Sequence, residues 1–329
     1  MNAPRLHRPL AVTAVAMAGL AAVAAAGIVV DDRVLLGVPI WLKPFKFAIS
    51  LVVYTGTLAY LIGSLQDGSL RGGSQQDGSL RGRPARHAGW LGNVIVAASF
   101  VEMAVIVGQV VRGRRSHFNV ETPLDSALWG VMAVTILMLW IATALIGVVL
   151  LRHYQGDRPT VLAVRYGLLI SLAGMAIGFL MTQPTAEQQA GFADGPPTLV
   201  GSHSVGVAEG GPGLPLVNWS TTGGDLRVAH FIGLHALQAL PLLAFGLARA
   251  ARRWPVLRPD RVRNRLVGLG AVGMAGITAL TTWQALRGQP VASPDTLTLG
   301  SAGLLAAGLA VGAAVALRRP VVRDAVRVG

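Results

Sequence analysis

The sequence predicts an all-α, polytopic transmembrane helical bundle of about eight spans, with both termini cytoplasmic and a long ordered exoplasmic loop. Three observations lead there. Of the 329 residues, 53% are hydrophobic and 13% charged, with a mean hydropathy of +0.56; a soluble domain carries about 25% charged residues. Apolar runs near the ~20 residues that cross a bilayer recur along the whole chain. The basic residues gather on alternate connections, as they do in membrane proteins with a cytoplasmic side.

The runs cover roughly 9–30, 47–64, 89–111, 127–151, 161–182, 228–248, 266–286 and 297–317, making residues 1–329 one integral membrane domain. The first follows Arg5 and Arg8 and ends in Ala24-Ala25-Ala26-Gly27, which suggests a signal peptide with a small-residue cleavage site. It is longer than the ~7–15 apolar residues of such peptides, so a retained helix is expected.

With the N-terminus inside, cytoplasmic segments hold 20 of the 28 Lys and Arg residues and outer segments hold eight. The net charge of +13 therefore reads as a collar facing anionic lipid, densest in the seven arginines of 249–265, and not as a nucleic-acid surface. The arginine-, alanine- and glycine-rich composition is that of a GC-rich bacterial genome, which points to the bacterial inner membrane. With no cysteine, disulfides, thiol catalysis and cysteine-ligated metal are excluded.

Residues 65–88 contain a duplicated heptapeptide, Gln66–Gly72 and Gln76–Gly82, and read as a flexible cytoplasmic linker. Residues 183–226 form the longest connection. Its turns, as in Gly210-Gly211-Pro212-Gly213, and its apolar anchors Leu214, Leu216, Val217 and Trp219 predict an ordered exoplasmic lid on the helix ends.

Three polar segments stand out, all on the outer side. Trp41–Phe47 contains Lys43 and Lys46, the two lysines of a chain with 26 arginines. A compact ammonium differs from a planar guanidinium, so these positions are candidates for ligand binding; an interfacial anchor is the alternative. Gln109–Asp125 carries Arg112, Arg114, Arg115, His117 and Asn119. Its arginines suit forked hydrogen bonds to phosphate or carboxylate, or contact with lipid head groups, with Asp125 as N-cap of the fourth span. Asp225–Gln238 opens the sixth span, with Asp225 as N-cap. On a continuous helix Gln238 lies about 80° and His235 about 140° from His230, so all three can face one cavity. Within the third span, Glu102 is the one acid in an apolar core, and an intramembrane carboxylate is a functional candidate by default.

The expected catalytic groups are His117, His235 and Glu102, and the expected ligand-binding groups are Lys43, Lys46, Arg112, Arg115, Asn119 and Gln238. His117, His203, His230 and His235 form an alternative ligand set for a transition metal or haem, with Glu187, Glu209 or Asp225 as oxygen donors. No pair of them has a diagnostic spacing.

Trp41–Phe47, Arg112–Asn119 and Gly210–Gln238 together resemble an uncharacterised family of bacterial multi-pass membrane proteins, a likeness that implies no activity. Serine-hydrolase, Walker and haem-attachment motifs are absent. The leading expectation is an outer-face site that binds or acts on an anionic small molecule or lipid head group. The alternatives are a haem- or metal-binding redox protein, a transporter, and a structural role. Neither the oligomeric state nor the cofactor is legible.

Overall fold

The computed structural model describes residues 5–67 and 78–318. It is 72% helical, so the fold is set by helix packing. Seven helices are long and apolar enough to cross a membrane, and a bent pair makes an eighth if counted as one span. In chain order the elements are α1 (Arg8–Val30), the hairpin β1 (Val34–Leu35) and β2 (Val38–Pro39), α2 (Leu42–Asp67), α3 (Gly78–Val111), α4 (Pro123–His153), α5 (Arg158–Met181), the short α6 (Ala186–Gly191), β3 (Ser204–Val205), β4 (Gly224–Asp225), α7 (Leu226–Leu234), α8 (Ala236–Ala250), α9 (Asp260–Leu286) and α10 (Thr296–Leu317).

Local chemistry sets the ends. Pro9, Pro123 and Pro159 stand in the first turns of α1, α4 and α5, where a missing N–H costs nothing. Asp225 and Asp295 cap α7 and α10 through backbone N–H groups. The N-cap of α4 is Thr122, not Asp125 as the sequence suggested. Asp125 sits three residues on, where its backbone N–H donates to Thr122 Oγ1 and its carboxylate accepts from the same hydroxyl. Half of the duplicated heptapeptide falls within 68–77, outside the described residues, and α2 and α3 extend into its two ends.

Three spans depart from expectation. The second begins at Leu42 rather than near 47, so both lysines lie in its first turns; Pro44 is tolerated there because its N–H would have had no partner. The third belongs to a helix that begins at Gly78 rather than near 89, so 78–88, expected as flexible linker, continues the span as helix. The sixth is not continuous: α7 and α8 meet at His235 with a bend of 44°. Pro241 lies inside α8. It withholds an N–H from the carbonyl one turn earlier and crowds it, the usual cause of a kink on the N-terminal side.

α1 packs on α2 and α3 on α4; α5 packs on α7, α8 and α9, and α10 lies against α9. A buried cluster with Tyr54, Leu58, Ile95, Ile146, Leu168 and Leu237 joins the two groups. α5 and α7 approach closely because glycine faces glycine: a Cβ on Gly174 would fall 2.5 Å from the backbone of Gly233. Small residues permit such contact between membrane helices.

The connection between α5 and α7 covers one end of the bundle. Backbone N–H groups of Val200, Ser202 and Leu226 donate to Phe118, Met181 and His203 carbonyls. β3 pairs with β4 through Ser204↔Asp225. The β1–β2 hairpin sits at the same end, turning through Leu36 and Gly37 with φ of 55° and 75°, the signs of a type I′ turn. Arg33 fixes it to α3 by donating to the Val110 carbonyl at 3.1 Å.

Candidate functional site

At this end the three polar segments converge. Trp41–Phe47, Arg112–Asn119 and 199–231 border one cavity of about 120 Å³, with the β1–β2 hairpin as its remaining wall. Of the predicted residues, Lys43, Lys46, Arg115, His117 and His203 line it. Arg227 and Glu209 line it too and were not singled out as ligand-binding or catalytic. The legible signal for Arg227 was its position as a further cation in the segment that opens the sixth span.

The cations differ in what they already hold. Arg227 makes a forked pair with Asp225, with Nε at 2.9 Å from Oδ1 and an Nη at 2.6 Å from Oδ2, and also reaches the Asn218 carbonyl. Lys46 donates to the Val217 carbonyl at 2.9 Å, tying α2 to the connection above it. Arg114 pairs with Glu121 at 2.6 Å. Lys43 has the face of Phe47 at 5.9 Å. Among the described residues neither Lys43 nor Arg115 has a carboxylate within ion-pair distance.

Two histidine–carboxylate pairs stand beside these cations. His203 Nδ1 lies 3.1 Å from Glu209 Oε1. That oxygen also accepts from Ser202 Oγ at 2.9 Å and from the backbone N–H groups of His203 and Ser204. Burial alone would push the Glu209 carboxyl up, but these hydrogen bonds outweigh it and hold it well below the usual range. Burial lowers the His203 imidazole from its ordinary 6.5. The pair is thus a carboxylate accepting from a neutral imidazole, with His203 Nε2 left to act. His117 is placed differently: Nδ1 is 3.1 Å from Ser116 Oγ, and Nε2 faces Glu102 Oε1 at 3.7 Å. Burial, then the charge of Lys43, lowers its pKa well below 6.5. The rings of His117 and His203 are 6.4 Å apart, and Phe118 and Trp129 pack against His117.

Glu102 lies behind His117, 3% exposed. One oxygen is 3.4 Å from Thr135 Oγ1 and the other, buried, accepts no hydrogen bond.

The other predicted residues serve elsewhere. Arg112 donates to Asp125 at 2.7 Å and to Gln109 at 2.6 Å, so it closes the α3–α4 junction and does not line the cavity. Asn119 Nδ2 donates to the Arg115 carbonyl and its Oδ1 accepts from Glu121 N–H, which shapes the turn. His230 Nδ1 lies 2.8 Å from the Gly174 carbonyl, linking α7 to α5. At the α7–α8 break, His235 Nδ1 is 3.2 Å from Gln238 Oε1, and Gln238 donates to Thr57 on α2. The bend accounts for this: the shared cavity was inferred from a straight helix. The four histidines are not gathered, and among the described residues no three His, Asp or Glu side chains form a metal-binding group.

The histidine shifts carry a pH dependence. A neutral imidazole is favoured in the folded state, while the unfolded chain takes up its proton near 6.5. The stabilisation is therefore complete above about 6.5 and is lost as pH falls toward the depressed folded-state values; Glu209 adds a loss below the ordinary carboxyl range. Hydrogen exchange of 199–225, corrected for its intrinsic pH dependence, should be faster at pH 5.5 than at pH 7.5. Equal protection at both would show that the imidazoles do not carry this end.

No family model, no curated protein and no solved structure matches this chain, so the functional reading rests on the cavity's own chemistry.

Proposed function

We propose that this chain is an eight-span inner-membrane protein of bacteria, N- and C-termini cytoplasmic, whose outer-face cavity binds the anionic head of a lipid or small metabolite, with His203 as the acid–base group beside it. The observation that carries this reading is that side chains from three distant segments put unpaired Lys43 and Arg115 on the same small cavity as the His203–Glu209 pair. Guanidinium and ammonium groups bind oxyanions strongly where water is restricted. A neutral imidazole whose Nδ1 is held by a carboxylate presents Nε2 for proton transfer near neutral pH. This shifts the catalytic role from His117, whose Nδ1 is held by Ser116 and whose Nε2 faces the buried Glu102, and from His235, which is not at the cavity.

The orientation is supported by charge. The seven arginines of 249–265 lie on the α8–α9 connection and the helix turns that flank it, at the opposite end from the cavity. Placed inside, they meet anionic lipid, and the connection 183–226 becomes an outer lid. A broken span also occurs in transporters, usually in pairs near the midplane. Here, among the described residues, one pair is broken, and its break carries the His235–Gln238 and Gln238–Thr57 contacts. Below the cavity, Met17, Met103, Ile106 and Met132 pack into an apolar plug, which supports a site open to one side.

Thermal unfolding of the detergent-purified protein tests the reading. Phosphate esters or carboxylates should raise the Tm, and Lys43→Gln with Arg115→Gln should remove that rise while leaving the ligand-free Tm within a few degrees. Binding that survives both changes would overturn the proposal.

A further inference from the structure

The cavity joins cations to apolar walls, the hairpin being one and Phe47, Ile106 and Val110 lining another. Lys43, Lys46, Arg115, His203 and Arg227 make its floor, while the wall from the β1–β2 hairpin is apolar, through Leu35, Leu36, Val38 and Ile40. At about 120 Å³ the space is well below the ~300–1,000 Å³ of pockets that enclose drug-sized ligands. It admits a head group and no more. Around the hairpin the surface stays apolar: Val34 is 66% exposed, and Val30 and Val111, at the adjoining ends of α1 and α3, are 77% and 67% exposed. A soluble anion would use none of this surface.

Charge narrows the head. Asp225 and Glu121 neutralise Arg227 and Arg114. That leaves Lys43, Lys46 and Arg115 against Glu209, a site with more basic than acidic groups. A phosphate monoester carries about −1.5 to −2 at neutral pH and offers several oxygens to these donors, so a phosphate complements the floor.

Resting on the anionic-site reading, we infer that the ligand is an acylated phosphate: its phosphate sits on Lys43 and Arg115, and its acyl chain leaves past the hairpin toward the bilayer. Free phosphate esters share the head chemistry but lack the chain, which separates the two sources.

The test is competition, on the full-length protein in uncharged detergent, against a lysophosphatidate labelled at the end of its acyl chain. Unlabelled lysophosphatidate should displace it at least about tenfold better than glycerol 3-phosphate or the zwitterionic lysophosphatidylcholine, a difference of ~1.4 kcal/mol. Arg115→Gln should weaken the acidic lipid about tenfold or more. Val38→Ser, with the shape-conserving Val38→Thr as the check on folding, should weaken the lipid and leave glycerol 3-phosphate unchanged. If glycerol 3-phosphate competes as well as the lipid, the acyl-chain inference fails and the anionic site stands. If lysophosphatidylcholine competes as well as lysophosphatidate and Arg115→Gln has no effect, the anionic site fails with it.

Discussion

Asp125→Ala should be among the most destabilising single changes in the protein. The side chain is fully buried and accepts from Arg112 at 2.7 Å, Gln109 at 2.9 Å and Thr122 Oγ1 at 2.7 Å. Alanine removes an acceptor shared by three donors; Arg112 keeps only Gln109 Oε1 and Gln109 keeps only the Arg115 carbonyl, while the Thr122 hydroxyl loses its carboxylate. Breaking a buried ion pair from one side costs about 3–5 kcal/mol. The Arg112 side chain is 35% exposed and can recover some water, which favours the lower end of that range. Thermal unfolding in detergent should show the loss. Glu121→Ala provides the contrast, because it breaks the exposed pair with Arg114, and such pairs contribute about 0–1 kcal/mol. Equal effects from both would mean that the α3–α4 junction is not held by Asp125.

Gly174→Val should be comparably damaging for a steric reason. The added Cβ would meet Gly233 backbone atoms at 2.5 Å. No flexible side chain stands there to move aside, so α5 and α7 must separate. Overpacking of this kind costs about 1–3 kcal/mol, and a rigid backbone neighbour places it high in that range. Separation would also stretch the His230–Gly174 contact and shift Arg227 and Phe231 at the cavity. A lowered Tm together with weakened anion binding is the expected result. Gly56→Ala and Gly246→Ala are the controls. Neither Cβ meets an atom within 4 Å, and alanine suits a helix interior better than glycine by roughly 0.5–1 kcal/mol. A Gly174→Val protein as stable as these would show that the helices are not in backbone contact.

The spans were legible because twenty apolar residues leave few other options in water. Of the site, the segments were legible but not the division of labour within them. Lys43 and Lys46 stood out against 26 arginines, and both line the cavity. Arg112 and Arg115 are three residues apart and look alike in sequence. One is taken up by Asp125 and the other faces the cavity, a difference set by where α3 ends. His230 and His235 were read on a straight helix, and the break ahead of Pro241 removed that geometry; the proline was the available signal. Glu209 lies in a glycine-rich loop with no periodicity, so its pairing with His203 depends on how the loop folds back, which no local pattern encodes.

The cavity draws on residues 35–47, 106–118 and 199–231, and this has a consequence for biogenesis. When a chain is made from its N-terminus, Lys43, Arg115 and His117 reach the membrane surface long before His203, Glu209 and Arg227 exist. The first four helices can pack, and their end of the molecule stays uncovered until α7 docks on α5 through Gly174 and Gly233. Completion of the cavity therefore waits on the second half of the chain, and a nascent chain stalled after α5 would display its cations without the imidazole–carboxylate pair that stands beside them.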